Sequence, residues 1–567
     1  MLAGRCCPRA RRPPSRESPG ISTAKRFDTR IALGLILLVA LGWRLHNIAF
    51  GLPSMYDPDE PIFMITALRM LVDGTLNPGW FGHPGSTTIT LVAAIDAAVA
   101  ALGIASGHYR DIADFSRAAY ADPALLFVPA RVAMALIGTL CVWLTYTLGR
   151  RLHGTATGLV AAALLAVNSL HIAWSQVIRT DINASVFMLA CLLFAVRAAE
   201  RRRLRDLLIA GAFAGLATAT KWPAATVFIA DIGGFMVASI RDRLPFWWLP
   251  AAAATALAAI FLASPYIFLD WQTVLANVSG EVKTGHLAHN GGGFFSNLSY
   301  YLGDPVAGSM GAVGLALAIG GLAWSAIRSP VARWTMLPAT LLFLGLICTQ
   351  HIIWSRWVLP VLPMFAIGAG FAMVSIARRL ANRTATVALA IAVGAAPLLA
   401  AVGQARERAN DTRSRAAAWA SANIPPDSRV VFEHLELSLR DRPWTILFPI
   451  GSAGCVDGVA LLAGGVDFDE VQSLRGASPI IDLGNVATNR ITTCRADYAV
   501  LAYHDLYLAE AARYPAEIAT YRRLLAGGRT IALFRPEPGR SGGPVVRIVA
   551  LPKRLSDKGV RVRRVGN

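Results

Sequence analysis

The sequence is short of charged side chains. Only 16% of its 567 residues are Asp, Glu, Lys or Arg, and 55% are hydrophobic, whereas soluble domains carry about 25% charged residues. This balance excludes an ordinary soluble enzyme and indicates a protein with many membrane spans. Acidic residues are scarcer than basic ones, 35 against 54. The basic residues stand in short clusters between apolar runs, which is typical of topology signals and not of a nucleic-acid partner.

Cysteine is also sparse, and its spacing excludes one class of site. The seven cysteines include no C-x-x-C pair, so the sequence contains no metal or redox motif of that type. Cys455 and Cys494 alone lie in a polar region, which the topology below places in an oxidising compartment. A disulfide between them and two unrelated thiols are both compatible with the sequence, because geometry decides the matter.

Eleven apolar runs predict an α-helical polytopic membrane protein. The first runs from Ile31 to about Phe50, after a basic, proline-rich stretch, residues 1–30, that we predict to be a disordered cytoplasmic tail. The others cover residues 126–149, 155–173, 182–199, 206–220, 223–240, 246–267, 308–327, 334–350, 356–377 and 384–403. With the N terminus inside, the inner segments carry 22 Lys and Arg residues and the outer loops only 7, which favours this orientation.

One further apolar run, Ser86 to about Ile104, is long enough to span the membrane. Counting it as a span would move the arginine cluster of residues 197–205 to the outside, against the charge asymmetry. We therefore interpret it as a helix that lies on, or re-enters, the outer face. The first outer loop is then large, covering residues 51–125.

The pattern changes near residue 404. Residues 31–404 form the predicted membrane domain, and residues 405–567 are more polar. Short β-like runs there, at residues 430–432, 498–502, 530–534 and 545–551, alternate with helical stretches at 413–423 and 506–525. This pattern predicts a C-terminal α/β domain on the extracytoplasmic side.

Three carboxylates stand within four residues directly behind the first span, at Asp57, Asp59 and Glu60. Like charges at this spacing repel one another and raise one another's pKa values, so the cluster is costly to hold at a membrane surface. A catalytic base or a cation site explains it. A solvated acidic turn, broken by two prolines, explains it too.

Under the predicted topology, other polar residues gather on the same outer face. They are Arg179, Asp181, Lys221, His286, His289 and Arg356. Singly, each has a structural explanation: Asp181 suits a helix N-cap, and Lys221 and Arg356 suit a membrane interface. Together, carboxylates facing cations suit a reaction between a polar acceptor and a lipid-linked phosphate donor. A carboxylate takes the acceptor's proton, and the cations hold the departing phosphate.

A series of motifs follows in order along the membrane domain. They are Asp57-Pro58-Asp59-Glu60, Gly82-His83-Pro84-Gly85, Arg131 with Tyr146-Thr147-Leu148-Gly149-Arg150-Arg151-Leu152, Trp174-Ser175 to Arg179-Thr180-Asp181, Gly215 to Lys221, and Arg356-Trp357-Val358-Leu359-Pro360-Val361-Leu362-Pro363. In this order they resemble the polytopic glycosyltransferases of the GT-C fold. The resemblance is strongest to the bacterial branch similar to protein O-mannosyltransferases and aminoarabinose transferases, the group of glycosyltransferase family 39.

The resemblance implies a multi-pass protein of the bacterial inner (plasma) membrane. It implies inverting transfer of a hexose or pentose from a polyprenyl-phosphate sugar to a lipid, glycan or protein acceptor on the outer face. Asp59 and Glu60 match the family's catalytic acidic pair, and Asp181 matches its second acidic position. Lys221 and Arg356 match basic positions near the donor phosphate, and Arg179 joins them as a candidate phosphate ligand.

The sequence departs from the family at Gly82-His83-Pro84-Gly85, where many relatives carry Lys-Pro-Pro or Tyr-Pro. This departure leaves the acceptor side open. Asp57, His83, His286 and His289 are candidates for contacting substrate or a divalent cation; metal dependence varies within the fold, and no other cofactor is indicated.

Two other classes of protein act on lipid-linked saccharides, and we weigh both as alternatives. A transporter or flippase would need charges along a path across the bilayer, whereas the predicted spans have apolar middles. A polymerase or ligase of lipid-linked saccharides usually has its site, arginines and a histidine, in late outer loops. The acidic cluster lies in the first outer loop, which argues against this class.

The charge asymmetry gives a direct test of topology. A reporter fused after Arg203 is expected to report the cytoplasm, and reporters fused after Gly292 or at Asp427 are expected to report the outer compartment. Alkaline phosphatase and fluorescent-protein fusions measure the two sides. A cytoplasmic signal after Gly292 would mean that the run from Ser86 spans the membrane and that the polar residues do not share one face.

Overall fold

The computed structural model describes residues 19–281, 283–434, 436–463, 473–474 and 481–552. Helices make up the membrane domain. They are α1 (Pro19–Leu45), α2 (Glu60–Val72), α3 (Ser86–Ala105), α4 (Ile112–Ala121), α5 (Ala124–His153), α6 (Thr155–Ala166), α7 (Ser169–Trp174), α8 (Thr180–Arg201), α9 (Leu204–Thr220), α10 (Ile229–Asp242), α11 (Trp248–Ala263), α12 (Tyr266–Leu269), α13 (Trp271–Glu281), α14 (Phe294–Tyr301), α15 (Ala307–Arg328), α16 (Pro330–Trp334), α17 (Met336–Cys348), α18 (Leu362–Leu380) and α19 (Arg383–Ala409). Two 3-10 segments, Trp222–Phe228 and Ser355–Val361, precede α10 and α18.

The predicted polytopic helical architecture is confirmed. Among the described residues, eight helical segments are long and apolar enough to cross a membrane. Seven coincide with predicted spans, and the eighth is α3. The remaining predicted spans are helices as well: α1, α6 with α7, α9 and α11. Of these, α6 and α11 are apolar but shorter than a full span.

Small residues allow the helices to pack closely. A side chain added at Gly215 of α9 would collide with the carbonyl of Ala256 in α11, and one added at Gly321 of α15 would collide with the carbonyl of Gly368 in α18. Because lipid gives helices no hydrophobic reason to associate, such close approach is a main source of packing energy in membranes.

Several helix ends meet at one end of the bundle, which we call the site end. Glu60, at the start of α2, binds Arg131 in the second turn of α5 and the backbone N–H of Ile178, just before α8. The backbone of Gly85, before α3, donates to the carbonyl of Thr220, the last residue of α9. The N termini of α5 and α8 and the C terminus of α9 therefore lie together.

Both ends of α3 lie near the site end. Ser86, its first residue, is hydrogen-bonded to Ser264, which follows α11 (2.6 Å between hydroxyl oxygens). Ala100, near its C terminus, belongs to the same apolar cluster as Leu126 and Phe127 in the first turn of α5. The interpretation of this helix as lying on, or re-entering, the outer face stays a prediction, since its length and apolar character would also allow it to cross a membrane.

The predicted boundaries at residues 30 and 404 both fall inside helices. Helix α1 begins at Pro19, so residues 19–30 continue the first helix, and the tail up to residue 18 lies outside the described residues. Helix α19 continues to Ala409. The chain therefore enters the C-terminal domain from a helix that starts in the membrane domain.

The C-terminal domain is α/β, as predicted. Its elements are α20 (Thr412–Asn423), β1 (Arg429–Phe432), β2 (Thr445–Ile450), β3 (Gly454–Asp457), α21 (Gly458–Ala463), β4 (Tyr498–Leu501), α22 (His504–Ala509), α23 (Pro515–Leu524), β5 (Arg529–Phe534) and β6 (Val546–Ala550). The sheet is ordered β3-β2-β1-β4-β6-β5, with β1 parallel to β2 and β4 and the other pairs antiparallel. Strands β2 and β3 were not predicted, and the stretch 506–525 forms two helices.

Cys455 and Cys494 are joined by a disulfide. The bond links β3 to the 3-10 segment Thr488–Cys494. Of the two arrangements that the sequence allowed, the structure contains the bonded one.

Candidate active site

Glu60 and Arg131 fix the acidic loop to the bundle. Both side chains are 0% exposed, and the guanidinium holds the carboxylate through two hydrogen bonds, Nε to Oε1 at 2.9 Å and Nη2 to Oε2 at 2.6 Å. Arg131 also donates to the carbonyls of Ile48 and Phe50, at the end of the first span. With both of its oxygens committed, Glu60 does not join the other two carboxylates of the loop.

Arg179 gathers those other two carboxylates. It is the residue before α8, and its guanidinium donates to Asp57 and to Asp59. The backbone N–H of Asp59 also donates to Asp57 Oδ1 at 3.0 Å. One arginine therefore lies between the two carboxylates and counteracts their repulsion.

Asp59 is the accessible carboxylate of the site. Its side chain is 32% exposed, against 2% for Asp181. Although it precedes α2 as the N-cap residue, its side chain makes no capping hydrogen bond. Burial alone would raise the pKa of Asp59, but the charges of Arg179 and Arg356 outweigh it and hold the pKa below its usual range. The carboxylate is therefore ionised at neutral pH.

A second, more buried group of charges adjoins Asp59. Asp181, in the first turn of α8, is paired with Lys221, which directly follows α9. Arg356, in the 3-10 segment before α18, reaches both carboxylates: Nη2 lies 3.4 Å from Asp59 Oδ2, and Nε lies 3.9 Å from Asp181 Oδ2. Four segments far apart in sequence thus converge, as the topology predicted, on three aspartates and three cations.

Tryptophans flank these cations. The Arg356 guanidinium lies 4.3 Å from the ring centroid of Trp354 and 5.6 Å from that of Trp174, and Arg179 lies 5.7 Å from Trp174. Such contacts favour the charged form and hold the cation in place. Trp174 lies within one of the family motifs, and Trp354 lies just before another. Neither tryptophan was predicted from the sequence as a site residue.

His83 lies beside the cluster, at a position where the loop pairs with the end of α9. Its carbonyl accepts from the backbone N–H of Trp222 at 2.8 Å, and Pro84 forms a bridge with Lys221. Gly85 has φ +75°, which lets the chain turn into α3. Burial, with the charges of Lys221 and Arg356, lowers the pKa of His83 to about 3, so the ring is neutral.

The two histidines of the later loop contact aromatic rings. His289 is stacked on Trp354, with ring centroids 3.7 Å apart, and His286 lies 5.0 Å from the same ring. Within the described ranges, no group of three or more His, Cys, Asp or Glu is arranged to hold a metal ion. The two rings contact the tryptophan that lies against Arg356, and the predicted contact of these histidines with substrate or a divalent cation stays a prediction.

Comparison with known proteins points to one class. Residues 126–269 match the family described as dolichyl-phosphate-mannose-protein mannosyltransferase. This region includes Arg131, Arg179, Asp181 and Lys221. No curated protein matches the chain. The match covers a part of the membrane domain that the motifs had assigned to the GT-C glycosyltransferases, and it confirms that resemblance.

Solved structures resemble the chain at low identity. ArnT from Cupriavidus metallidurans aligns over 94% of this chain and 98% of its own, with 14% identity and a TM-score of 0.49. The oligosaccharyltransferase of Archaeoglobus fulgidus aligns over 92% and 74%, with 13% identity and a TM-score of 0.48. The Pmt1-Pmt2 protein O-mannosyltransferase complex of S. cerevisiae aligns over 44% and 34%, with 20% identity and a TM-score of 0.32.

The buried pair of Glu60 and Arg131 generates a prediction about stability. Glu60→Gln is expected to lower the free energy of unfolding by roughly 3–5 kcal/mol, because it leaves the arginine buried without a countercharge. The double variant Glu60→Leu, Arg131→Met is expected to regain part of that loss. Thermal unfolding of the purified protein in detergent measures both.

Arg117→Gln is the matched control, because it also removes one partner of an ion pair. The Arg117 side chain is 71% exposed, and its bond to Asp114 lies at the surface, so unfolding should hardly change. If Glu60→Gln were as mild as this control, the buried pair would not be what fixes the loop.

Proposed function

We propose that this protein is a membrane glycosyltransferase that moves a sugar from a polyprenyl-phosphate-linked donor to a polar acceptor. The observation that carries the proposal is the balanced cluster of Asp57, Asp59 and Asp181 with Arg179, Lys221 and Arg356 at one end of a helical bundle. The family matched by residues 126–269 uses, by its description, a lipid-phosphate-linked sugar. It therefore supports the same donor class.

The reaction assigns one role to the accessible carboxylate. The acceptor's hydroxyl or amine attacks the anomeric carbon of the sugar, Asp59 takes the acceptor's proton, and the bond from the anomeric carbon to the phosphate oxygen breaks. Polyprenyl phosphate leaves with the electron pair of that bond. The inverting course follows the family resemblance. Asp59 suits this role because it alone among the three aspartates is about one-third exposed.

The cations have the complementary role. The leaving phosphate gains negative charge as the bond breaks, and Arg356 and Lys221 would stabilise that charge most strongly in the transition state. Before the donor arrives, each is close to an aspartate. A phosphate that draws Arg356 toward itself would weaken the hold of Arg356 on Asp59 and make that carboxylate a stronger base. Donor binding would thus prepare the site for the acceptor.

The remaining predicted residues support this arrangement. Glu60, which we predicted as catalytic, is better explained as the group that anchors the loop through Arg131. Arg179, which we predicted as a phosphate ligand, is committed to Asp57 and Asp59. We propose that both are positioning residues. The sugar, the acceptor, which is a lipid, glycan or protein, and the outer face of the inner membrane remain parts of the proposal.

Replacing Asp59 tests the assigned base. Asp59→Asn keeps the volume but removes the basic oxygen, so turnover should fall by roughly 10²–10⁴-fold while donor binding persists. Arg356→Ala should instead weaken donor binding, because it removes a charge-assisted contact with the phosphate. The measurement is release of polyprenyl phosphate from a panel of polyprenyl-phosphate sugars, with donor affinity measured separately.

The contrast between the two variants separates the enzyme from a transporter. A transporter would move the lipid-linked sugar across a vesicle membrane without releasing polyprenyl phosphate. Asp505→Asn is a control in the C-terminal domain, where Asp505 pairs with Arg547 away from the cluster. Transfer at a normal rate by the Asp59 variant would show that the acidic loop is structural.

The low pKa of Asp59 predicts a flat pH profile for the donor-free enzyme. A carboxylate whose pKa is depressed stays ionised as the pH falls, so kcat/KM for the donor should not decline between about pH 8 and pH 5. If the donor phosphate weakens the contact with Arg356, the acid limb of kcat should lie at higher pH than that of kcat/KM. An acid limb in kcat/KM near neutrality would identify a different base.

A further inference from the structure

The segment just before the catalytic loop inserts a side chain into the C-terminal domain. The Tyr56 hydroxyl, directly preceding Asp57, donates to Glu436 Oε1 and is hydrogen-bonded to the hydroxyl of Ser414. Ser54, two residues earlier, donates to the other oxygen of the same carboxylate at 2.5 Å. One buried glutamate therefore holds two residues of the loop.

Further contacts surround the tyrosine. The Arg413 guanidinium lies 3.7 Å from the centroid of the Tyr56 ring and donates to the Tyr56 carbonyl at 3.2 Å. Arg413 is itself oriented by two hydrogen bonds of 2.9 Å to Asp411, the N-cap of α20. The ring of His434 approaches the tyrosine edge-on, with centroids 5.6 Å apart. All these partners belong to the C-terminal domain.

The segment needs such support. Gly51 and Met55 both have positive φ, at +67° and +51°, and a side chain at Gly51 would collide with the Tyr56 ring. A left-handed conformation is uncommon for a residue such as Met55 and persists only where its surroundings fix it. The chain from Gly51 to Tyr56 therefore has a bent path that its contacts with the C-terminal domain maintain.

We propose that Tyr56 and Glu436 are positioning residues of the active site, through which the C-terminal domain sets the placement of Asp57 and Asp59. The inference rests on the transferase function proposed above. Small displacements of a reacting group slow catalysis strongly, because proximity and orientation supply much of the rate. The α/β domain is thus required for turnover although none of its residues carries the chemistry.

Removing the tyrosine hydroxyl tests the link with the least disturbance. Tyr56→Phe is expected to lower kcat by roughly 10- to 100-fold, with donor affinity unchanged, since Arg356 and Lys221 remain in place. Hydrogen exchange at the amides of residues 51–59 should become faster in the same variant. If the role were purely structural, the variant would yield less folded protein, and kcat and donor binding would fall together instead of kcat alone.

The glutamate side of the link gives a graded series. Glu436→Ala should lower kcat as Tyr56→Phe does, and Glu436→Gln should restore part of the rate, since its amide oxygen still accepts from the tyrosine. The double variant of Tyr56→Phe and Glu436→Ala should be less slow than the product of the two single effects, because the hydrogen bond between Tyr56 and Glu436 is lost in each single variant. Asp505→Asn, in the same domain but outside this contact, should leave kcat unchanged.

The outcomes separate this inference from the proposed function. Normal kcat in Tyr56→Phe, together with loss of turnover in Asp59→Asn, would overturn the positioning role and leave the transferase standing. Normal turnover in Asp59→Asn would overturn the assigned base and with it this inference. If Glu436→Ala fails to fold, Tyr56→Phe still decides, because it removes a single oxygen atom from a half-buried side chain.

Discussion

Asp57, Asp59 and Glu60 repel one another. They stay together because two arginines from distant parts of the chain form ion pairs with them. Arg131 lies inside α5 and pairs with Glu60, while Arg179 precedes α8 and pairs with the two aspartates. Because Arg131 lies within a helix of the bundle and Arg179 directly precedes one, neutralising the acids also fixes the loop in space. The same ion pairs that stabilise the acidic cluster therefore determine where its accessible carboxylate lies.

The charges divide into an inner and an outer layer. Asp181 and Lys221 are almost fully buried, and Asp181 lies in the first turn of α8, where the helix dipole favours an anion. Asp59 lies further out and keeps a third of its surface exposed. Arg356 bridges the two layers. Under the proposed function, the donor phosphate would compete with the aspartates for cations that the bundle already positions, so little reorganisation would be needed when negative charge develops.

The helices and the shared face of the site were predictable because both depend on simple patterns. Apolar length predicts spans, and basic clusters predict their orientation, so topology predicted that Asp59, Asp181 and Arg356 share one face, although it did not predict their contacts. The pairing of Glu60 was not predictable. Arg131 stands in an apolar run, and nothing in the spacing of 71 residues indicates that its side chain reaches back to the loop.

The local sequence also failed to predict two other features of the structure. The pairing of His83, Pro84 and Gly85 with the end of α9 joins two loops whose residues have no strand pattern. Strand β2 contains Pro449 and yet lies between two other strands, a position in which proline normally argues against a strand. In both cases tertiary contacts outweigh the local preference.

The C-terminal domain contacts both sides of the candidate active site. On one side it holds Tyr56, before the acidic loop. On the other, Glu510 accepts a hydrogen bond of 2.8 Å from Asn290, and Leu287 is buried in the apolar core of the domain. That second loop carries His289, which is stacked on the tryptophan beside Arg356. A single domain thus contacts the segment that leads to the carboxylates and the segment that supports Arg356. Because movement of the domain would displace both segments together, the spacing between Asp59 and Arg356 depends on the domain as much as on the helices.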